Sequence, residues 1–185
     1  MNNDPPVTDR DLASLLDDAR GAEAATQRTR QRWLRQQAQG DARLCGVLLH
    51  ATEHGHDVAI ATVAGGSHSG TLAGVGPDFC TLHAASRTTL ITLAAVATVV
   101  PGAGVAALPA TDHREPPEGT NFAEALAERA EDRPVVLMEV AGRGEPLRGV
   151  LVAVGTDVAS VETDGRGIVY VSLASLAAVS FLASG

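Results

Sequence analysis

From residue 57 to residue 100, apolar and polar positions alternate in short runs broken by turn residues. That period of two predicts strands rather than helices. The runs fall at Asp57–Ala64, His68–Val75, Asp78–His83, Thr88–Leu93 and Val96–Val100, separated by Ala64-Gly65-Gly66, Gly76-Pro77, Ala85-Ser86-Arg87 and Ala94-Ala95. A second series falls at Val135–Ala141, Pro146–Val154, Asp157–Glu162, Gly167–Leu173 and Ala177–Leu182. Each series is preceded by a stretch of helical character that ends in a charged break. These stretches are Ala42–Glu53 before His54-Gly55-His56-Asp57, and Phe122–Glu131 before Asp132-Arg133-Pro134. Nearer the start, residues 8–39 also predict helix. Thr8 with Asp11 resembles a capping pair, Leu12, Leu15 and Leu16 share a face, and Gly21 weakens the run.

The two series are copies of one another. Gly70-Thr-Leu-Ala-Gly-Val-Gly-Pro-Asp78-Phe-Cys-Thr-Leu82 aligns without a gap on Gly149-Val-Leu-Val-Ala-Val-Gly-Thr-Asp157-Val-Ala-Ser-Val161. Further on, Leu93-Ala-Ala-Val-Ala-Thr-Val99 matches Leu173-Ala-Ser-Leu-Ala-Ala-Val179, with the spacing changed by a single residue. Two matches in the same order indicate a duplication of one unit, a short helix followed by five short strands. Connections this short imply an antiparallel meander. Five such strands left flat would expose their edges, so closure of each copy into a small barrel is the expectation. Gly70, Gly74 and Gly149 lie inside second strands, where a barrel bends sharply. The chain therefore divides into a helical arm over residues 1–40, a first unit over 41–100, a Pro- and Gly-rich linker over 101–120 and a second unit over 121–185.

Gly70-x-Leu72-x-x-Val75-Gly76-x-Asp78-Phe79, followed by Leu93-Ala94-Ala95-Val96 before the fifth strand, resembles the Sm-like small β-barrel of the LSm and Hfq type. The arrangement of an arm and two such units also resembles a group of actinobacterial two-barrel proteins. The resemblance covers roughly residues 41–100 and 121–182. It implies a mainly β fold with some α: an N-terminal helical arm followed by two tandem helix-plus-five-strand Sm-like barrels. The motif positions it carries over are Gly70, Asp78, Gly149 and Asp157. The family's RNA-reading residues do not follow them. The asparagine expected after the aspartate is replaced by Cys80 or Thr81 and by Ala159 or Ser160. The expected arginine-glycine pair is replaced by Thr92-Leu93-Ala94 and Ser172-Leu173-Ala174. Asp78 and Asp157 are then left as turn-fixing side chains that bond nearby backbone amides.

Composition narrows the possible partners. The 185 residues include 14 basic and 22 acidic side chains for a net charge of −8, and the apolar fraction of 45% is too high for a disordered chain. Every basic residue is arginine. Residues 1–43 hold seven arginines and seven acids, whereas residues 44–185 hold seven and fifteen. The strand-forming region is therefore acidic and repels a phosphate backbone unless a basic patch intervenes. One such patch is in the arm: Arg28, Arg30, Arg32 and Arg35 with Trp33, followed by Arg43. On a helix Arg28, Arg32 and Arg35 form one stripe, which either contacts nucleic acid or a partner, is solvated, or folds back on the acidic units. The longest apolar run, Leu90–Val100, is interrupted by Thr92 and Thr98 and falls well short of the ~20 residues of a membrane span. No secretory leader is read at the start, so a cytoplasmic protein is expected.

Catalytic apparatus is not evident. Gly74-x-Gly76 and Gly142-x-Gly144 do not open a helix, no Gly-x-Ser-x-Gly elbow occurs, and Cys80 and His83 point to opposite faces of a strand. His50 and His54 are one helical turn apart, with His56, Cys45 and His68 as neighbours on paper, but their spacing departs from recognised zinc patterns and also suits a helix terminus. Cys45 and Cys80 read as buried thiols. No catalytic residue, metal or cofactor is expected. The leading expectation is a non-enzymatic interaction or assembly module that associates with itself or a protein partner through edge strands. The alternative is an RNA- or DNA-binding regulator that uses the arginine helix.

Overall fold

The computed structural model describes residues 23, 27–28, 30, 32–34, 42–85, 87–105, 108 and 113–182. The chain divides into two compact units, Met1–Asp41 and Ala42–Gly185. In the first unit the described residues Glu23, Gln27, Arg28, Arg30, Arg32, Trp33 and Leu34 are helical and exposed. Thr8, Asp11, Leu12, Leu15, Leu16 and Gly21 lie outside the described residues.

The second unit begins with helix α1 (Leu44–Glu53), then strands β1 (Asp57–Thr62), β2 (Ser67–Val75), β3 (Phe79–Ala84), β4 (Arg87–Thr92) and β5 (Val96–Pro101). Helix α2 (Phe122–Ala130) opens the second copy, followed by β6 (Val135–Val140), β7 (Leu147–Val154), β8 (Val158–Thr163), β9 (Gly167–Ser172) and β10 (Leu176–Leu182). A single 3-10 turn precedes each fifth strand, at Leu93–Ala95 and Leu173–Ser175. These elements fall within two residues of the positions predicted by alternation and turn chemistry.

The closure expected of them does not occur. All ten strands form one open antiparallel sheet in the order β5-β1-β2-β3-β4-β10-β6-β7-β8-β9, not two tandem Sm-like barrels. The edge cost that suggested barrels is met in another way. The outer edge of β4 pairs with that of β10, in a register that sets Ile91 opposite Ala178, Leu90 opposite Val179 and Thr89 opposite Ser180. Two edges are thereby consumed between the copies, and β5 and β9 end the sheet.

The repetition reaches into irregularities. The register between β2 and β3 slips at Leu72/Gly74, and that between β7 and β8 slips at Leu151/Ala153, the same place in each copy. Gly70 and Gly149 occupy equivalent points just before these bulges. A Cβ on Gly70 would run into the His83 carbonyl, and one on Gly149 would run into the Glu162 carbonyl and the Val161 side chain. Both glycines thus permit close approach of the next strand.

Two cores result. Leu48 and Ala51 of α1 pack with Val58, Ile60, Leu72, Leu82 and Ile91. Phe122 and Leu126 of α2 pack with Val136, Met138, Leu151 and Val161. The copies interlock at the joint, where Ala178 of the second copy joins the first core and Leu90 of the first copy joins the second. Adjacent strand residues face opposite sides, so at β4 and β10 the two cores cover opposite faces of the sheet. Residues 176–181 of β10 are consequently all buried, which accounts for an apolar run there without alternation.

Candidate functional site

The joint between the copies carries a buried polar network. Glu139 is the penultimate residue of β6, an otherwise apolar strand, Val135–Val140, and is 9% exposed. Its carboxylate crosses to the first copy. Oε1 accepts from the Thr62 hydroxyl at 2.5 Å and from the Gly66 amide at 2.7 Å, and Oε2 accepts from His68 Nε2 at 2.8 Å. Burial pushes the Glu139 carboxyl up, but these three hydrogen bonds and the charge of His68 outweigh it and hold the carboxyl below its ordinary value of 4.5. Gly66 is required for this approach, because a Cβ there would fall on the carboxylate itself. Beside this network Thr89 and Ser180 share a buried hydrogen bond at 2.9 Å across the β4–β10 pair.

A cavity of about 430 Å³ opens over this network, bordered by Gly66, His68, Arg87, Glu139, Arg143 and Ser180. Within it, Glu139 is engaged by Thr62, Gly66 and His68. A carboxylate held ionised by three donors makes a poor proton acceptor, and the Ser180 hydroxyl is bonded to Thr89. The arrangement therefore locks the copies together. Glu139, Arg87 and Arg143 escaped sequence reasoning because they belong to no motif. The one signal was an acidic residue between Met138 and Val140 in a run otherwise fit for burial.

Equivalent strands are finished differently at the ends of the sheet. The matching registers make β9 the counterpart of β4, and β5 the counterpart of β10. Tyr170 thus stands where Leu90 stands in the joint, yet Leu90 is 2% exposed and Tyr170 is 73% exposed. Val100 corresponds to buried Ser180 and is 54% exposed, and Ile168 on β9 is exposed as well.

The residues singled out by sequence are scattered. Arg28, Arg30, Arg32 and Trp33 are on the helix of the first unit, with Trp33 exposed. Arg35 lies outside the described residues. Arg43 is in the second unit, directly before α1, and pairs with Glu115 at 3.2 Å between exposed side chains. The Asp78 carboxylate reaches beyond its own turn and accepts the Phe122 amide at 2.7 Å, tying the first copy to α2. Asp78 and Asp157 also present matching backbone carbonyls to Leu93 and Leu173. Cys80 is fully buried and its thiol is pushed up to about 12, chiefly by burial and then by Cys45, which disfavours the thiolate form. Neither cysteine is in a disulfide. Among the described residues no helix is long and apolar enough to cross a membrane. Comparison with family models and with curated proteins returns no match to this chain.

Proposed function

We propose that this chain is a self-assembling sheet module, in which the β9 edge of one molecule pairs with the β5 edge of another. The observation that carries the reading is the inequality between equivalent strands. The joint inside the molecule is made from a fourth strand and a fifth strand, and the two edges left over are again a fourth strand and a fifth strand. Applying the internal register to the free edges sets Tyr170 opposite Val99 and Val169 opposite Val100 of the next molecule. The exposed apolar side chains of both edges would then be covered, as Leu90 and Val179 are inside the joint. Such a contact is heterologous, so it builds a ring or an open row of molecules.

Size-exclusion chromatography with light scattering tests it. The full chain is expected to form multimers that grow with concentration, and the Tyr170→Asp variant is expected to stay a monomer. A native chain that is monomeric throughout the micromolar range sinks the reading. Register is checked by a mixture of Tyr170→Cys and Val99→Cys chains, which should crosslink to each other under mild oxidation.

A second reading concerns the first unit, where Arg28 and Arg32 are one turn apart on a helix beside exposed Trp33. That pairing of guanidinium and indole suits a single-stranded nucleic acid. The chain has one tryptophan, so its fluorescence reports directly. Quenching by RNA or DNA at low salt that is lost in an Arg28→Ala, Arg32→Ala, Arg35→Ala chain supports this reading; unchanged fluorescence rejects it.

A further inference from the structure

Three histidines converge where α1 ends. His50 is in the last turn of the helix, His54 caps it, and His56 follows a turn built on Gly55, whose φ of +60° lies in the left-handed region. One ligand nitrogen from each ring lies within 4.8 Å of the other two. The ring centroids are 4.2 Å apart for His50 and His54, 5.5 Å for His54 and His56, and 6.2 Å for His50 and His56. From this geometry we infer that the three imidazoles form a binding site for a divalent transition metal ion of the zinc class, independent of the assembly edges.

The backbone presents the rings in a defined way. His56 is fixed from both sides, its amide donating to the Ala51 carbonyl at 2.9 Å and its carbonyl accepting the Leu72 amide at 3.2 Å. The third ring is therefore anchored to β2 while the first two ride on the helix. His54 Nδ1 donates to the His50 carbonyl at 2.8 Å. This contact selects the tautomer in which Nε2 carries the lone pair, and a backbone carbonyl is a usual outer partner for a metal-bound imidazole. Three nitrogens around a tetrahedral zinc ion sit about 3.4 Å apart at the ordinary zinc–nitrogen distance. Side-chain torsions of half-buried and exposed rings supply the remaining ångström or so. The carbonyl end of a helix also favours a cation. Three protein ligands leave a fourth position for water or an incoming group, and imidazole donors select zinc, nickel or copper over magnesium or calcium.

His50 and His54 alone follow an ordinary helix spacing, and the sequence placed no metal there. The turn at Gly55 adds the third donor, which spacing along the chain does not reveal.

The test uses the full chain, stripped of metal and titrated with Co²⁺ and with Zn²⁺ alone. One Co²⁺ per chain is expected, with the visible bands of a tetrahedral nitrogen-rich site and no thiolate charge-transfer band, and Zn²⁺ should displace it. His54 is exposed, so His54→Ala leaves the core intact and should weaken binding by about tenfold or more, at least the cost of losing an outer partner. The His50→Ala, His56→Ala chain should lose the bands, while His83→Ala retains them. The inference is overturned by absence of uptake at micromolar metal. It is equally overturned by a thiolate band, or by binding unchanged in a folded His50→Ala, His56→Ala chain as judged by its thermal melt. Tyr170→Asp should bind metal like the native chain, which separates this result from the fate of the assembly reading.

Discussion

The β4–β10 joint and the free edges β9 and β5 are built from the same pair of repeated strands, yet one is sealed and the other bare. Position for position, Leu90 and Tyr170 hold equivalent places in the matching registers, and the first is buried in a core while the second faces solvent. The difference is a matter of partner rather than of strand-forming tendency. It teaches that burial pattern along a strand reports what lies beside it: the β10 run is buried throughout because both its edges and both its faces are covered, and β5 is largely open because one edge has no neighbour.

The joint also carries a lock that the free edges lack. Glu139, with its three donors from the first copy, occupies the slot that Ala61 fills in that copy, and the donor His68 corresponds to Leu147. A contact between molecules through β9 and β5 would therefore be apolar where the internal joint is ionic and directional. Burying a charge makes the internal pairing selective, since a misaligned pairing strands a carboxylate without donors.

The largest contrast is expected from truncating the two equivalent side chains, Leu90 and Tyr170. Leu90→Ala should lower stability by about 2–5 kcal/mol, the range for a large-to-small change in a packed core. Tyr170→Ala should change the stability of the dilute monomer by less than about 0.5 kcal/mol, as exposed sites do. Equal losses in urea melts of the two variants would mean that β9 is as well buried as β4. Next in size is the lock: Glu139→Ala leaves Thr62, Gly66 and His68 facing an empty space and should cost about 2–4 kcal/mol. Gly66→Ala should act in the same direction by displacing the carboxylate.

The lock is also visible in pH. Glu139 is held below 4.5 in the folded chain, so the ionised carboxylate contributes stability that is fully present above that pH and is lost as pH falls through the folded value. Thermal midpoints between pH 6 and pH 3 should therefore fall less steeply in Glu139→Gln, once its lower starting stability is subtracted. Parallel curves would remove Glu139 from the account. Smallest of all, Thr89→Val alone should cost about 1 kcal/mol by leaving the Ser180 hydroxyl without its partner, whereas Thr89→Val with Ser180→Ala should recover most of it.

Much of this architecture was legible in the chain. Alternation, turn residues and the duplication from Gly70 to Leu82 placed all ten strands and both helices of the second unit. What did not follow was their closure, because period-two patterning identifies a strand's faces and says little about which edge meets which. Leu90 and Ile91 are consecutive apolar residues, a hint that β4 is covered on both sides, but the covering strand is about ninety residues away. The position of Asp78 after a glycine turn predicts a turn-fixing side chain, and its carboxylate instead holds the start of α2. Glu139 was invisible for a related reason: its partners lie more than seventy residues away, and no local spacing encodes them.

The linker between the copies has a kinetic consequence. Residues 102–121 connect β5 to α2, so the β10 strand that seals β4 is always tethered to it, at an effective concentration on the order of millimolar. A second molecule at micromolar concentration competes poorly for that edge. The tether thus favours closure of each chain's own joint and leaves β9 and β5 as the open edges of the sheet. Cutting the linker would remove that advantage and open the β4–β10 joint to strand exchange between molecules.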